Sequence, residues 1–180
     1  MSTTDQERDA KFEALFRSTY PRVLSYARGM AEADDADDAL AEAYAVAWRR
    51  LDDVPANAQL GWMIGVTRRV LANARRGRRR AGALRELLSV QPRQHGVDPA
   101  DRLDDEELRA ALLTLRRIDR EALTLVAWFD LTPAEAAVAL GVGPATFRMR
   151  LARARRRMRA ELAAPDESAM TKEEPQWHPS

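Results

Sequence analysis

The sequence predicts an all-α fold of two small helical domains joined by a flexible linker. Three observations carry this expectation: apolar residues recur at three- and four-residue spacing in every patterned segment, no convincing alternating run of strand type occurs, and capping residues bracket the patterned stretches. The pattern weakens once, from Ala81 to Leu103, where Pro92, Gly96 and Pro99 accumulate. That interruption divides the chain into a first domain over 1–80, a linker over 81–103 with a short helix at Leu84 to Leu88, and a second domain over 104–163. The remaining tail, 164–180, is polar and proline-bearing, and is expected to be disordered.

In the first domain, Phe12, Leu15 and Phe16, then Val23, Leu24 and Ala27, fall at helical spacing on either side of Pro21. Proline lacks the backbone donor and crowds the preceding turn, so Pro21 is expected to end one helix or open the next. Asp34 to Leu51 reads as a long helix with acids in its first turns and Arg49 and Arg50 in its last, the polarity the helix dipole favours. Its inward stripe is Ala36, Leu40, Ala43 or Tyr44, Ala47 and Leu51. Pro55 and Asn57 place a loop at Asp52 to Gln59, and Leu60 opens a further helix through Trp62, Val66, Val70 and Asn73. In the second domain, Glu106 to Leu115 turns Leu108, Ala111, Leu112 and Leu115 inward; a break falls near Asp119, and Arg120 to Phe129 follows.

The most informative stretch is Leu131 to Arg157. Thr132, Pro133 and Glu135 form a capping box with proline at the first helical position, so a helix starts there, with Ala136, Ala137 and Leu140 as its apolar face. Gly141 can take the left-handed conformation that stops it, and Gly143 with Pro144 begins another helix after a short turn. This is a helix-turn-helix, whose second helix enters the major groove of DNA. Phe147, Leu151, Ala154, Met158 and Leu162 are expected to face the core, which leaves Ala145, Met149, Ala152, Arg153 and Arg156 outward and Arg148 on a flank.

Charge supports the same partner. The formal net charge is only +1, yet no acid occurs between Trp62 and Arg80 or between Pro144 and Ala160, and each stretch carries seven arginines. Two such clusters suit two contacts with a polyanion, because phosphate neutralisation and counterion release supply much of the affinity for nucleic acid. The absence of cysteine removes disulfides and thiolate chemistry, and the only histidines, His95 and His178, fall in the linker and the tail without partners. Enzymatic function is therefore not expected. The acidic run Asp34, Asp35, Asp37, Asp38 lacks the glycine and terminal glutamate of a calcium loop and reads as a helix start. With no long apolar run and no signal-peptide pattern at the amino terminus, the chain is expected in the cytoplasm, without membrane insertion.

From Phe12 to Leu162 the chain resembles the extracytoplasmic-function sigma factors of bacterial RNA polymerase. FEALFRSTYPRVLSYA, DADDALAEAYAVAWRRL and GWMIGVTRRVLANARRGRRR resemble sigma domain 2 in order and spacing, and the stretch from Leu108 to Leu162 resembles sigma domain 4. The resemblance implies an alternative sigma factor that binds the polymerase core, recognises and melts promoter DNA, and is held by an anti-sigma factor. It assigns Asp37, Asp38, Glu42 and Trp48 to core-polymerase binding, though Ala41 stands where the family usually has glutamine. It assigns the minus-10 element to the loop with Asn57 and to Trp62, Arg68, Arg69, Asn73 and Arg76, with Arg69 replacing the usual asparagine. A separated strand wants arginines along its backbone and aromatic faces for unstacked bases, although core burial is the simpler account of Trp62. The minus-35 element falls to Ala145, Thr146, Arg148, Met149, Arg153 and Arg156, where arginine can read guanine and methionine can touch a thymine methyl. Two other readings share part of this pattern. A stand-alone helix-turn-helix regulator would bind duplex DNA without polymerase, and a helical adaptor would use its basic helices on acidic protein surfaces and not bind DNA at all.

Overall fold

The computed structural model describes residues 3–86 and 105–163, with side chains placed over 5–80 and 105–163. The linker residues beyond Glu86, including His95, and the tail, including Trp177 and His178, lie outside the described residues. Among the described residues there are α-helices and one 3-10 turn and no strand: α1 (Thr3–Met30), α2 (Ala33–Arg49), the 3-10 turn Leu51–Asp53, α3 (Gln59–Glu86), α4 (Glu106–Thr114), α5 (Arg117–Ala127), α6 (Pro133–Leu140) and α7 (Pro144–Ala163).

Three elements depart from their sequence expectation. First, α1 runs unbroken through Pro21. The carbonyl that proline deprives of its hydrogen bond belongs to exposed Arg17, where water can satisfy it, while Leu15 and Val23 on either side are buried in one core. Second, α3 continues to Glu86, past the point where the linker was expected to begin, and takes in the first residues of the short helix assigned to Leu84 to Leu88. Third, the break between α4 and α5 falls at Leu115–Arg116, and Asp119 lies in the first turn of α5. The inward stripe of α2 is as expected at Ala36, Leu40, Ala43, Tyr44 and Ala47, all buried; Leu51, expected to close it, is buried too but belongs to the 3-10 turn that follows.

The two halves do not keep separate cores. One cluster of buried residues joins Leu15, Val23, Tyr26, Met63 and Ile64 to Leu125, Ala136, Ala139, Phe147 and Leu151. Only a satellite cluster of Ala111, Leu112, Leu115 and Met158, between α4 and α7, stands apart. The joint is made by α6 lying on α3. A Cβ built on Gly61 would come 2.8 Å from the Cα of Glu135, and one on Gly65 would come 3.1 Å from the carbonyl oxygen of Ala139. Glycine is thus what allows these two backbones to approach.

Candidate polymerase and nucleic-acid interfaces

The helix-turn-helix forms as its sequence dictates. Thr132 caps α6 reciprocally: its hydroxyl accepts from the Glu135 backbone N–H, and the Glu135 carboxylate accepts from the Thr132 N–H at 2.9 Å. Gly141 stops the helix at φ 64° and ψ 38°, a left-handed conformation that a side chain would strain. On α7, Phe147, Leu151, Ala154 and Met158 are buried, so the inward face is the expected one up to Met158. Leu162 is not part of it. At 41% exposed, it lies past the end of the satellite core, where α7 has nothing left to cover it.

The face of α7 opposite that core presents Ala145, Thr146, Arg148 and Met149 to solvent, Met149 at 74% exposed. Arg155, Arg156 and Arg159 are exposed further along. The short and apolar side chains therefore occupy the first two turns, and most of the positive charge lies beyond them. Such an order matches base contact at the start of a recognition helix and phosphate contact along its length.

Arg153 corrects the outward face drawn from the sequence. Its guanidinium turns back onto α5 and donates to both carboxylate oxygens of Asp119, Nε at 2.9 Å and Nη2 at 2.6 Å. Asp119 is completely buried, and the hydrogen bonds from Arg153 hold its carboxyl below the usual carboxylate range. Arg153 is thereby a positioning residue for the recognition helix. Sequence reasoning missed Asp119, but a signal was there: it is an aspartate on the apolar stripe Leu115, Ala122, Leu125, where an unpaired charge would not be tolerated.

On α3, Arg69, Asn73, Arg76 and Arg80 recur at helical spacing on one exposed face, and Asn57 is exposed in the preceding loop. Arg76 donates to the Asn73 side-chain oxygen, so the two act as one polar unit. Trp62 is half-buried against the shared core. Arg68 departs from the expected surface. It lies on the flank facing the second domain, where its guanidinium makes two hydrogen bonds with the Glu121 carboxylate of α5; these raise its pKa further above the ordinary arginine value. Arg68, Arg69, Arg75, Arg76 and Arg117, with Glu121 and Tyr26 among the other lining residues, border a cavity of about 360 Å³.

The outer face of α2 carries Asp38, Ala41, Glu42 and Ala45, all exposed, with no ion pair to Asp38 or Glu42 among the described residues. Asp37 and Asp35 are spent locally, on Arg28 and Arg78. Trp48 is 38% exposed and stands edge-on to Phe12 at 5.2 Å, with the Arg8 guanidinium 5.0 Å from its ring centre. The result is an acidic ridge with an aromatic at its carboxyl end. The acids at the start of α2 make no metal cluster, and no group of three potential ligands occurs among the described residues. Nor is any helix there long and apolar enough to cross a membrane.

An acidic ridge, a basic helix face and a helix-turn-helix stand on one chain, an arrangement suited to a protein that works between another protein and DNA. Comparison with known proteins makes this specific. The family model for sigma-70 region 2 matches residues 15–81 and that for sigma-70 region 4 matches residues 105–158. The chain is 31% identical over 169 residues to the ECF RNA polymerase sigma factor EcfG of Rhodopseudomonas palustris (strain TIE-1), spanning 90% of this chain and 88% of that one. It belongs to the extracytoplasmic-function sigma factors of the sigma-70 family.

Solved structures agree on the fold. CnrH in complex with the cytosolic domain of CnrY superposes with a TM-score of 0.55 at 24% identity, covering 86% of this chain and 88% of that one. The sigma factor RpoE in complex with the anti-sigma factor NepR, from Bartonella quintana, does so with a TM-score of 0.51 at 22% identity, covering 92% and 99%. As a member of this family, the chain is an alternative sigma factor that directs RNA polymerase to promoters and initiates transcription.

Proposed function

We propose that promoter recognition is divided among three surfaces of this chain. The start of α7 reads the minus-35 element through Ala145, Thr146, Arg148 and Met149, while Arg156 grips phosphate and Arg153 holds the helix in place. On α3, Arg69, Asn73 and Arg76 track the melted minus-10 strand, and the loop with Asn57 takes an unstacked base; Arg68 joins them once released from Glu121. Asp38 and Glu42, with Trp48 at the end of the ridge, dock on a basic surface of the polymerase core, and Asp37 contributes when Arg28 lets it go. The observation that carries this reading is the separation of charge by element, acids outward on α2 and arginines outward on α3 and α7. A like-charged partner for any one surface would be repelled by it.

The chain itself catalyses nothing in this account, and acts in the cytoplasm, where polymerase and chromosome are. It is held in check by an anti-sigma factor, a reading supported by its likeness in fold to the RpoE solved in complex with the anti-sigma factor NepR. The test is to mix the purified chain with sigma-free bacterial core polymerase and sequence the transcripts started on genomic DNA. Start sites sharing two upstream motifs are the expected result. Absence of binding and initiation would instead point to a regulator that binds duplex DNA alone.

A further inference from the structure

The cavity bordered by α1, α3 and α5 is walled mainly by one sign of charge. Arg68, Arg69, Arg75 and Arg76 reach it from α3 and Arg117 from the first turn of α5, and Glu121 is the one carboxylate among the described residues that line it. Tyr26 adds no negative charge: burial raises its phenol further above the ordinary value and keeps it an O–H group. Guanidinium groups do not lose their protons in a folded protein, so the crowding of five of them is not relieved by titration.

Glu121 offsets only part of that charge. Its carboxylate accepts two hydrogen bonds from Arg68 and lies 3.9 Å from Nη1 of Arg117. Arg75 is held at the cavity by donating to the carbonyl of Met30. Arg69 and Arg76 make no ion pair among the described residues, and Arg76 instead donates to the neutral side-chain oxygen of Asn73. Arg117 is also the first residue of α5, where the helix dipole and the unsatisfied backbone N–H groups add positive potential. The side chains bordering the cavity therefore carry a net charge of +4, five arginines less one glutamate.

Size and lining narrow the ligand. A volume of about 360 Å³ lies within the ~300–1,000 Å³ of small-molecule sites, more than one tetrahedral oxyanion fills. An arginine fork pairs with two phosphate oxygens at once, and two linked phosphates present enough oxygens for several forks. Met30, Leu71 and Ala72 supply apolar lining. We propose that the cavity binds a small diphosphate-bearing ligand, whose phosphates bridge the arginines of α3 to Arg117 of α5. Inorganic diphosphate and a nucleoside diphosphate share this group, and the apolar lining has a role only with the second. The site does not depend on how α3 meets promoter DNA.

Calorimetric titration of the full chain with inorganic diphosphate, in magnesium-free buffer at fixed ionic strength, tests this. One ligand per chain is expected, with a rise in melting temperature that grows with ligand concentration. Arg117→Ala removes one fork at an exposed position and is expected to weaken binding about tenfold; Arg117→Lys, which keeps the charge and loses the fork, recovers only part of the affinity. Arg49→Ala deletes the same charge from the exposed end of α2 and is expected to change affinity by less than about twofold. Circular dichroism melts without ligand establish that the variants fold like the parent. Adenosine and guanosine diphosphates then identify the source. Tighter binding than inorganic diphosphate places the nucleoside on the apolar lining, and equal or weaker binding assigns the site to the inorganic anion. No binding of any of the three below about 1 mM, equal weakening by Arg49→Ala and Arg117→Ala, or equal affinity for sulfate overturns the site.

Discussion

Asp119 of α5 and Arg153 of α7 form a two-pronged ion pair, 2.6 and 2.9 Å, around a carboxylate with no solvent exposure. The recognition helix is thus fixed from behind by a charge on another helix. Removing the acid deletes two charge-assisted hydrogen bonds made to a buried carboxylate, so Asp119→Ala is expected to cost about 2 kcal/mol, the range for hydrogen bonds to charged groups. Thermal unfolding checks this.

The same pair makes an acid-dependent contribution to stability. The folded-state carboxyl of Asp119 lies below its ordinary value near ~3.9, so the pair contributes fully above that pH and its contribution disappears as pH falls through the lowered folded value. The melting-temperature difference between the unaltered chain and Asp119→Asn is expected to be constant from pH 7 to 5 and to shrink below about pH 4. A difference that grows on acidification would contradict the pair.

Arg148 and Arg156 are both exposed on α7, yet belong to different parts of it. Arg148→Ala is expected to weaken recognition of particular minus-35 sequences, and Arg156→Ala to weaken binding to all sequences and reduce the salt dependence, each base contact being worth about 1–3 kcal/mol. Promoter-library transcription with each variant separates the two; equal sequence preference in both would reject the division of labour.

The acidic ridge of α2 predicts a charge-reversal phenotype. Glu42→Lys, at an exposed position, is expected to leave the unfolding free energy within about 0.5 kcal/mol of the parent and to weaken core-polymerase binding at least tenfold, or ~1.4 kcal/mol. Competition with labelled parent chain for core measures it.

Gly141 is the turn between α6 and α7, at φ 64°. Gly141→Ala is expected to destabilise by about 1 kcal/mol through left-handed strain alone, since open space surrounds the position. Phe147→Ala, in the shared core, is expected to cost ~3–5 kcal/mol and to loosen both domains together. Denaturant unfolding followed by two probes, one in each half, would show coincident transitions if that core is common.

The sequence by itself determined the helical class, the helix-turn-helix within Leu131 to Arg157, the inward stripes of α2 and of α7 as far as Met158, and the two acid-free basic stretches. These are legible because caps, turns and amphipathic stripes depend on residues within about four positions of one another. Tertiary structure alone decided which arginines stay free on the surface of α3 and α7. Arg68 and Arg153 resemble their neighbours in the chain, but are claimed by acids 53 and 34 positions away. It also decided that α1 passes through Pro21, because a proline is tolerated where its orphaned carbonyl is wet and both flanks share a core. The docking of α6 on α3 was hidden for the same reason. A glycine signals backbone freedom wherever it occurs, and only the approach of another main chain to Gly61 and Gly65 shows what that freedom is for.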